Sequence, residues 1–442
     1  LLTSRGSAEE WRQSVQGIEP ARLAMTLDSP ERAGATEPLL VGTTEAIPGG
    51  DGSRTMPVAE RIEMAVARAR RWLTLQDKPN RDKRVVMLYY NNPPGKGNIG
   101  ASYLNLFPSV LAMLRSLAEA GFRVGDRIPS ERELIESVQR SGRNIEMWAP
   151  GELDALVSEG RVALVSMEKY QRWFAELPAE FREFVNAGWG PPEQARLMVI
   201  TSRDGRRFFV VPGLRFGNVF LGPQPLRTAF ERDEAKMMRA VHDMVTPPPH
   251  SYVAAYLWYR HEFGADAVVH VGRHGTVEFL PGKAVAMSGA DSPEVVLGDL
   301  PNINYYIIDG GGEAIQARRR SAAVLVGHLT PLVAAAGPQQ QFVPLRHALE
   351  NLEQAEGVSP ALADQYREEA LGQTRGLGLD KQLGLDLEQA KWNEIEGAVH
   401  EFIESIESGP IPLGMHAVGA LPDEAVQRDA LRAYVAQGFT DA

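Results

Sequence analysis

The sequence predicts a multi-domain α/β protein in which parallel-sheet α/β units are followed by a mainly helical C-terminal region. Between residues 84 and 330, short β-branched apolar runs alternate with segments whose apolar residues recur at helical spacing. Such alternation is typical of parallel sheets covered by helices. After Pro331 the helical spacing continues to about Ile406. The chain of 442 residues is also longer than one ordinary core accommodates.

Local patterns divide the chain into four segments. Residues 1–80 are irregular or linker-like and end in a helix, and residues 81–200 form a first α/β unit. Residues 201–335 form a second α/β unit, and residues 336–442 a mainly helical region. The helix that ends the first segment is predicted from apolar residues at helical spacing, namely Ile62, Val66, Ala69, Trp72 and Leu73.

Several elements can be placed within the two α/β units. Apolar runs predict strands at residues 84–90, 218–221, 265–269 and 303–308, and a hairpin that pairs 197–200 with 207–211. Periodic segments predict helices at residues 108–120, 252–263 and 313–329.

Composition excludes several classes of protein. The net charge of −11 argues against general nucleic-acid binding. The segment Gly125–Leu134 resembles the opening of the helix-turn-helix in GntR-type regulators, but no basic recognition helix follows it. Without cysteine, a thiolate metal site or thiol nucleophile is excluded. No apolar run approaches the roughly 18 residues of a membrane span. We therefore expect a cytoplasmic protein, and Leu1 at the start suggests a part of a longer polypeptide.

The segment from His270 to Lys283 carries the densest set of chemically active side chains. It follows a predicted buried strand and breaks at glycines, so its polar groups fall on a loop at the strand's end. Ligands bind at that edge in open α/β sheets. His270, His274 and Glu278 together can bind a divalent metal or transfer protons near neutral pH. On spacing alone, a structural role for the histidines is equally compatible.

The loop at residues 95–100 reads Gly-Lys-Gly-Asn-Ile-Gly and follows the strand at 84–90. This order matches the dinucleotide-binding pattern, which is typical of nicotinamide- or flavin-dependent oxidoreductases. The next helix does not begin at the third glycine, however, and Lys96 is equally suited to holding a carboxylate. We expect an anion- or ligand-binding loop at this position, with a dinucleotide site and a structural turn as alternatives.

Further candidates lie at the ends of other predicted elements. Gln224 and Arg227 follow a strand and either reach a ligand or belong to an ordinary loop. Arg319 lies in a basic band beyond a glycine-rich turn, where it either attracts an anion or faces solvent. His250 is either a surface residue or a ligand contact, and His416 is predicted to be structural.

In combination, these segments resemble the large-subunit family shared by aerobic cobaltochelatase (CobN) and magnesium chelatase (its H subunit). Residues 270–283 match the family pattern His-x-Gly-x-His-Gly-x-x-Glu-[Phe/Trp]-x-Pro-Gly-Lys at every fixed position. Residues 92–98 match its Asn-x-Pro-Pro-Gly-Lys element, with one residue of ambiguity. The resemblance covers about residues 59–420. Arg273 and the turn Asp309–Gly312 depart from the pattern, which leaves the preference for metal and ring open.

The resemblance implies the tetrapyrrole-binding catalytic large subunit of an ATP-dependent metal chelatase. The first expectation is insertion of Co²⁺, as substrate metal, into hydrogenobyrinic acid a,c-diamide in cobalamin biosynthesis. The alternatives are insertion of Mg²⁺ into protoporphyrin IX and a non-catalytic tetrapyrrole-binding module. Since the sequence contains no P-loop motif, ATP would be hydrolysed by separate AAA+ partner subunits. We expect no nucleic-acid partner.

Roles for individual residues follow from this resemblance. His270, His274 and Glu278 would be catalytic, accepting pyrrole protons or escorting the metal. Amide and basic side chains would hold the ring and its carboxylates, namely Asn92, Lys96, Gln224, Arg227, Lys283 and Arg319. Tyr90, Trp189 and Phe279 are candidates for the aromatic walls of a cleft.

Overall fold

The computed structural model describes most of the chain. The described residues are 1–92, 94–96, 99–101, 104–145, 147, 149–159, 162–228, 242–307, 310–328, 339–356, 359–383, 385–407, 416–428 and 431. By its contacts the chain forms two compact units: Leu1–Thr330 with His416–Ala420, and Pro331–Met415 with Leu421–Ala442. The α/β segments predicted from the sequence therefore share one unit.

The described strands and helices are numbered in chain order. The strands are β1 (Leu2–Arg5), β2 (Leu40–Ala46), β3 (Ser53–Pro57), β4 (Val85–Tyr89), β5 (Ala163–Ser166), β6 (Val199–Thr201), β7 (Arg207–Val211), β8 (Leu214–Phe216), β9 (Val219–Pro223), β10 (Ala267–Gly272), β11 (Asn302–Ile307) and β12 (Val324–His328). The α-helices are α1 (Ala8–Gln13), α2 (Pro20–Leu23), α3 (Ser29–Arg32), α4 (Ala59–Asp77), α5 (Leu106–Glu119), α6 (Glu131–Ser141), α7 (Pro150–Ser158), α8 (Met167–Ala175), α9 (Ala179–Trp189), α10 (His250–Trp258), α11 (Ser292–Leu297), α12 (Gly311–Arg320), α13 (Gln339–Glu356), α14 (Pro360–Gly376), α15 (Leu379–Gln382) and α16 (Trp392–Glu407).

A six-stranded sheet in the order β12-β11-β10-β4-β9-β8 organises the first unit. All neighbouring pairs are parallel except β8 with β9. In the central strand β4, Val86 and Leu88 lie in one apolar core with α10, whereas Val85 and Met87 lie in another with α5. Because β4 is buried on both faces, its sequence is apolar throughout rather than alternating. The predicted α/β class is confirmed.

Two predictions for this unit are wrong. Residues 1–57 are not irregular, because β1, β2 and β3 form a small sheet in that order. The helix predicted to Leu329 ends at Arg320 and is followed by β12, which pairs with β11. Ala322 has a positive φ of 50°, which breaks the helix. The run from Val324 to Val326 then adds the edge strand of the sheet.

Helix α4 forms as predicted, but its predicted apolar residues are not those most deeply buried. Arg61 and Arg68 are 1% and 3% exposed, whereas Ile62 and Val66 are 39% and 46% exposed. The two guanidiniums pair with the buried Glu294 carboxylate at 2.9 and 3.2 Å. A buried charge requires a partner of opposite sign, and this distant glutamate determines which face of α4 turns inward.

The second unit is mainly helical in its described part, as predicted, with α13, α14, α15 and α16 around a core that includes Leu345 and Val399. The chain then returns to the first unit at His416. The Asn105 N–H donates to the His416 carbonyl at 2.6 Å, and the Val418 N–H donates to Ser109 Oγ at 3.1 Å. None of the described helices has the length and apolarity needed to cross a membrane.

Candidate functional site

The loops that follow β4, β9 and β10 come together at one edge of the large sheet. These three strands are adjacent and parallel, so their carboxyl ends lie side by side. We call the group of polar residues at this edge the edge site; it consists of Asn91, Asn92, Gln224, Arg227, His270, His274 and Glu278. The structure therefore brings residues from three neighbouring strands to one edge of the sheet, and their roles in binding or catalysis stay predictions.

Buried amide side chains connect the three loops. The Gln224 backbone N–H donates to the Tyr89 carbonyl at 2.8 Å, and its Nε2 donates to the His274 carbonyl at 3.1 Å. Asn144, which follows α6, donates from Nδ2 to the Gln224 carbonyl at 2.9 Å and from its N–H to Asn91 Oδ1 at 2.7 Å. Sequence reasoning missed Asn144, because a single asparagine in a loop carries no local signal of such a role.

Glu278 and His270 face each other across Gly275. The Gly275 N–H donates to Glu278 Oε1 at 2.7 Å. A Cβ atom on Gly275 would lie 2.7 Å from Glu278 Oε2 and 2.9 Å from His270 Nδ1. Both distances are shorter than van der Waals contact, so only glycine fits without displacing the two side chains. Gly272, the last residue of β10, has a φ of 135°, and a Cβ atom there would lie 3.2 Å from Ala101.

Burial sets the protonation states of these two groups. It raises the pKa of the Glu278 carboxyl to about 7, although backbone N–H groups and the Arg227 and Arg320 guanidiniums act to lower it. Burial lowers the pKa of the His270 imidazole to about 3, and the nearby His274 lowers it further. Near neutral pH, His270 is therefore neutral and Glu278 is poised between its two protonation states.

His274 lies in an aromatic surrounding. Its ring centroid is 5.8 Å from that of Tyr90, 5.3 Å from that of Phe279 and 5.5 Å from that of His242. Its Nδ1 donates to the Gly275 carbonyl at 2.7 Å, which leaves the Nε2 lone pair to accept a proton or a metal ion. Tyr90 and Phe279 thus lie where aromatic walls were predicted, and His242 is a neighbour that the sequence did not indicate.

Several buried polar atoms of the edge site lack a hydrogen-bond partner within the described part of the chain. They are Asn92 Oδ1, Gln224 Oε1, both ring nitrogens of His270, and Glu278 Oε2. A buried polar group without a partner costs about 1–3 kcal/mol. Such groups are rare in native proteins, and a cluster of them is typical of a ligand site.

Two predicted substrate ligands, Lys283 and Arg319, already have partners elsewhere in the fold. Lys283 Nζ donates to the Arg12 carbonyl at 2.8 Å and lies over the Trp11 ring. The Arg319 guanidinium pairs with Glu31 at 2.7 Å and also with Asp28, just before α3. These contacts attach N-terminal segments to other parts of the first unit, and the structure does not bring either cation to the edge site.

The neighbouring Arg320 is the residue of the basic band that reaches this region. Its guanidinium donates to the Glu278 carbonyl at 2.6 Å, to the Gly282 carbonyl at 3.1 Å and to the carbonyls of Leu280 and Lys283. It is 3% exposed. Arg320 therefore holds the loop that carries Glu278, a role that sequence reasoning assigned to no residue.

The remaining candidates have separate surroundings. Lys96 lines a pocket of about 360 Å³ with Arg143 and Glu152. The Trp189 indole donates to the Pro247 carbonyl at 2.8 Å and lines another pocket, of about 220 Å³. His250 is buried and not a surface residue, and its ring nitrogens bond to the Tyr170 hydroxyl and the Gly190 carbonyl.

Two sequence expectations bear on bound cofactors and metals. The glycine pattern at residues 95–100 does not open a helix, because α5 begins at Leu106. Its middle glycine, Gly97, lies outside the described residues. Among the described residues, no group of three or more His, Asp or Glu side chains is arranged to hold a metal ion. Metal binding by His270, His274 and Glu278 therefore stays a prediction.

The fold and this site define an α/β protein with a buried imidazole–carboxyl pair at the carboxyl edge of a parallel sheet. The family model described as CobN/Magnesium Chelatase matches residues 1–442. The chain belongs to this family, as its sequence motifs predicted.

Individual relatives agree with this assignment. The chain is 33% identical over 429 residues to the aerobic cobaltochelatase subunit CobN of Pseudomonas aeruginosa. This match covers 96% of the chain and 33% of that protein. It is 30% identical over 426 residues to the magnesium-chelatase H subunit of Rhodobacter capsulatus, covering 93% and 32% respectively. The chain thus spans about one third of the length of these relatives.

A solved structure is also similar. The catalytic subunit of cobaltochelatase from Mycobacterium tuberculosis has a TM-score of 0.68 and 30% identity to this chain. The match covers 97% of this chain and 35% of that one. Relatives named for cobalt and for magnesium are thus about equally similar, and similarity alone does not distinguish the two metals.

Proposed function

We propose that this chain is the part of a chelatase large subunit that binds the tetrapyrrole and takes its protons during metal insertion. The observation that carries the proposal is the buried pair of His270 and Glu278, which have unpartnered ring nitrogens and an unpartnered carboxyl oxygen in the described structure. These groups can accept protons, and a tetrapyrrole must lose its inner N–H protons when a metal ion is inserted.

The electrostatics suit the chemistry. Metal insertion removes the inner N–H protons of the ring, and a general base works best when its pKa lies near the working pH. The Glu278 carboxyl, with its pKa raised by burial to about 7, meets that condition. His270 stays neutral and offers a lone pair, and His274 presents a second one from Nε2. Gln224 and Asn92 have unpartnered oxygens for polar groups of the ring.

Cobalt is the first candidate for the inserted metal, with hydrogenobyrinic acid a,c-diamide as the ring. Neutral imidazoles are good ligands for Co²⁺, whereas Mg²⁺ prefers oxygen ligands, and the edge site supplies two imidazoles and one carboxyl. Magnesium insertion into protoporphyrin IX is the second candidate, and the 30% identity to a magnesium-chelatase H subunit favours it. A non-catalytic tetrapyrrole-binding module is the third.

The energy for insertion would come from outside this chain. We propose AAA+ ATPase partner subunits that hydrolyse ATP, and a cytoplasmic location for the complex. The proposal that partner subunits hydrolyse ATP rests on the absence of a P-loop motif from the sequence together with the family membership.

Replacing Glu278 by glutamine in the full-length protein tests the proposal. The glutamine keeps the shape of the side chain but cannot accept a proton. We expect ring affinity within about threefold of wild type and a loss of metal insertion in the complex with its ATPase partners, since a general base contributes roughly 10²–10⁴-fold. Co²⁺ and Mg²⁺ are assayed in parallel with both rings. Unchanged turnover would remove Glu278 from the mechanism, and failure of wild type to bind either ring would refute the function itself.

A further inference from the structure

The pocket lined by Lys96 lies beside the edge site. It is about 360 Å³ in volume and lies between the loop after β4 and the start of α7. We call it the basic pocket; its lining residues are Pro94, Gly95, Lys96, Arg143, Asn144, Ile145, Ala149 and Glu152. Asn144 belongs to both places, because it lines this pocket and also bonds to Asn91 and to the Gln224 carbonyl.

The charges of the basic pocket are not balanced. Arg143 and Lys96 carry two positive charges, and Glu152 carries the one negative charge among the lining residues. The Arg143 side chain is 8% exposed, and its Nε donates to the Gln139 carbonyl at 2.7 Å. This bond fixes the guanidinium at the pocket wall. The side of the guanidinium that carries Nη2 is turned to Glu152.

Glu152 differs from Arg143 in its freedom to move. Its side chain is 53% exposed, and its described ion-pair partner is Arg143. The Arg143 hydrogen bond, and secondarily the charge of Lys96, lower the pKa of Glu152. A half-exposed carboxylate on a buried guanidinium is easily exchanged for another carboxylate, because solvent can take up the charge that leaves.

We propose that the basic pocket binds a carboxylate-bearing side arm of the tetrapyrrole, and that Glu152 occupies Arg143 while the pocket is empty. This inference rests on the proposed function. The planar guanidinium of Arg143 matches a carboxylate in two-point contact, and Lys96 adds charge at the exposed side. Pro94, Ile145 and Ala149 offer apolar surface to the methylene groups of the arm.

Substitutions of Glu152 and of Arg143 should change ring affinity in opposite directions. Glu152→Gln removes the internal competitor, so affinity for a ring with free carboxylates should rise roughly fivefold to tenfold, as expected for a charge-assisted hydrogen bond made available. Arg143→Gln should lower that affinity by a similar factor. Neither change should alter by more than about twofold the affinity for the same ring with its carboxylates converted to primary amides.

Tryptophan fluorescence quenching measures the binding, with protoporphyrin IX or hydrogenobyrinic acid a,c-diamide, whichever binds more tightly, and its amide derivative. Glu159→Gln is the matched control, since it makes the same change of charge at the end of α7. Glu159 pairs with Arg140 at 3.7 Å and does not line the pocket. Glu152→Gln, at a half-exposed site, also keeps the test valid if Arg143→Gln fails to fold.

The outcomes distinguish a failure of the basic pocket from a failure of the proposed function. A gain limited to the acid ring in Glu152→Gln and absent in Glu159→Gln supports the basic pocket. Equal effects of the two glutamine variants, or equal effects on acid and amide rings, overturn it while the proposed function stands. If neither ring binds to wild type, the proposed function falls and the pocket assignment falls with it.

Discussion

The buried carboxyl of Glu278 should make folding stability depend on pH in a defined window. Its pKa is about 7 in the folded chain and near the ordinary value of 4.5 when unfolded. A carboxyl with a raised folded pKa contributes stability that is complete below the unfolded pKa and is lost as pH rises through the folded one. A tenfold change in proton affinity corresponds to about 1.4 kcal/mol, so wild type should lose on the order of 3 kcal/mol between pH 4.5 and pH 7.

Glu278→Gln removes this titration while preserving size and polarity. The free energy of unfolding of the variant should therefore rise relative to wild type by about 3 kcal/mol across that window and level off above about pH 8. His270 titrates in both proteins, so its contribution cancels in the difference.

Urea unfolding at several pH values, followed by tryptophan fluorescence, measures the difference. Every tryptophan except Trp392 belongs to the first unit, so the signal reports mainly on the unit that contains Glu278. Glu133→Gln is the control: hydrogen bonds from Arg127 and Ser130 lower the pKa of its exposed carboxyl to about 2. That group's effect is lost only as pH falls below about 4.5. Parallel curves for wild type and Glu278→Gln would refute the burial and charge assigned to this carboxyl.

Three further predictions concern the same region. Gly275→Ala places a Cβ atom 2.7 Å from Glu278 Oε2, so one of the flanking side chains must move by roughly 0.5–1 Å. This displacement should lower the rate of metal insertion about 10²-fold, and ring affinity is measured alongside. Replacing both His270 and His274 by alanine should weaken Co²⁺ binding in calorimetry, and superimposable isotherms would leave these imidazoles with a structural role. Arg320→Gln should lower the free energy of unfolding by about 3 kcal/mol, whereas Arg319→Gln should cost about 1 kcal/mol or less; equal losses would contradict the distinction between the two arginines.

The sequence was most informative where short-range pattern and burial coincide. The strands β4, β9, β10 and β11 lie where apolar, β-branched runs predicted them, because strands covered on both faces need such runs. The strands β1 to β3 were missed, since their small polar residues, such as Thr43 and Thr44, give no apolar run. The strand β12 was read as helix because the helical pattern of α12 ends without a strong stop signal.

Short-range pattern also limited what the sequence could predict about single residues of the site. The clustering of His270, His274 and Glu278 could be inferred because they are near neighbours in the sequence, although His270 lies within β10 and not on the loop after it. The choice between Arg319 and Arg320 could not, because adjacent residues on a helix point about 100° apart. Which one meets the Glu278 loop depends on how α12 packs. The pairing of Arg61 with Glu294 is likewise a long-range event that leaves no mark in the local sequence.

The return of the chain at His416 has a practical consequence for work with fragments. An expression clone that stops after β12 would contain all six strands of the large sheet, yet it would lack the strip that bonds to Asn105 and Ser109. The start of α5 would then face water with those groups bare, next to the loop that carries Lys96. A shortened protein for crystallisation or ligand screening should therefore keep residues 416–420.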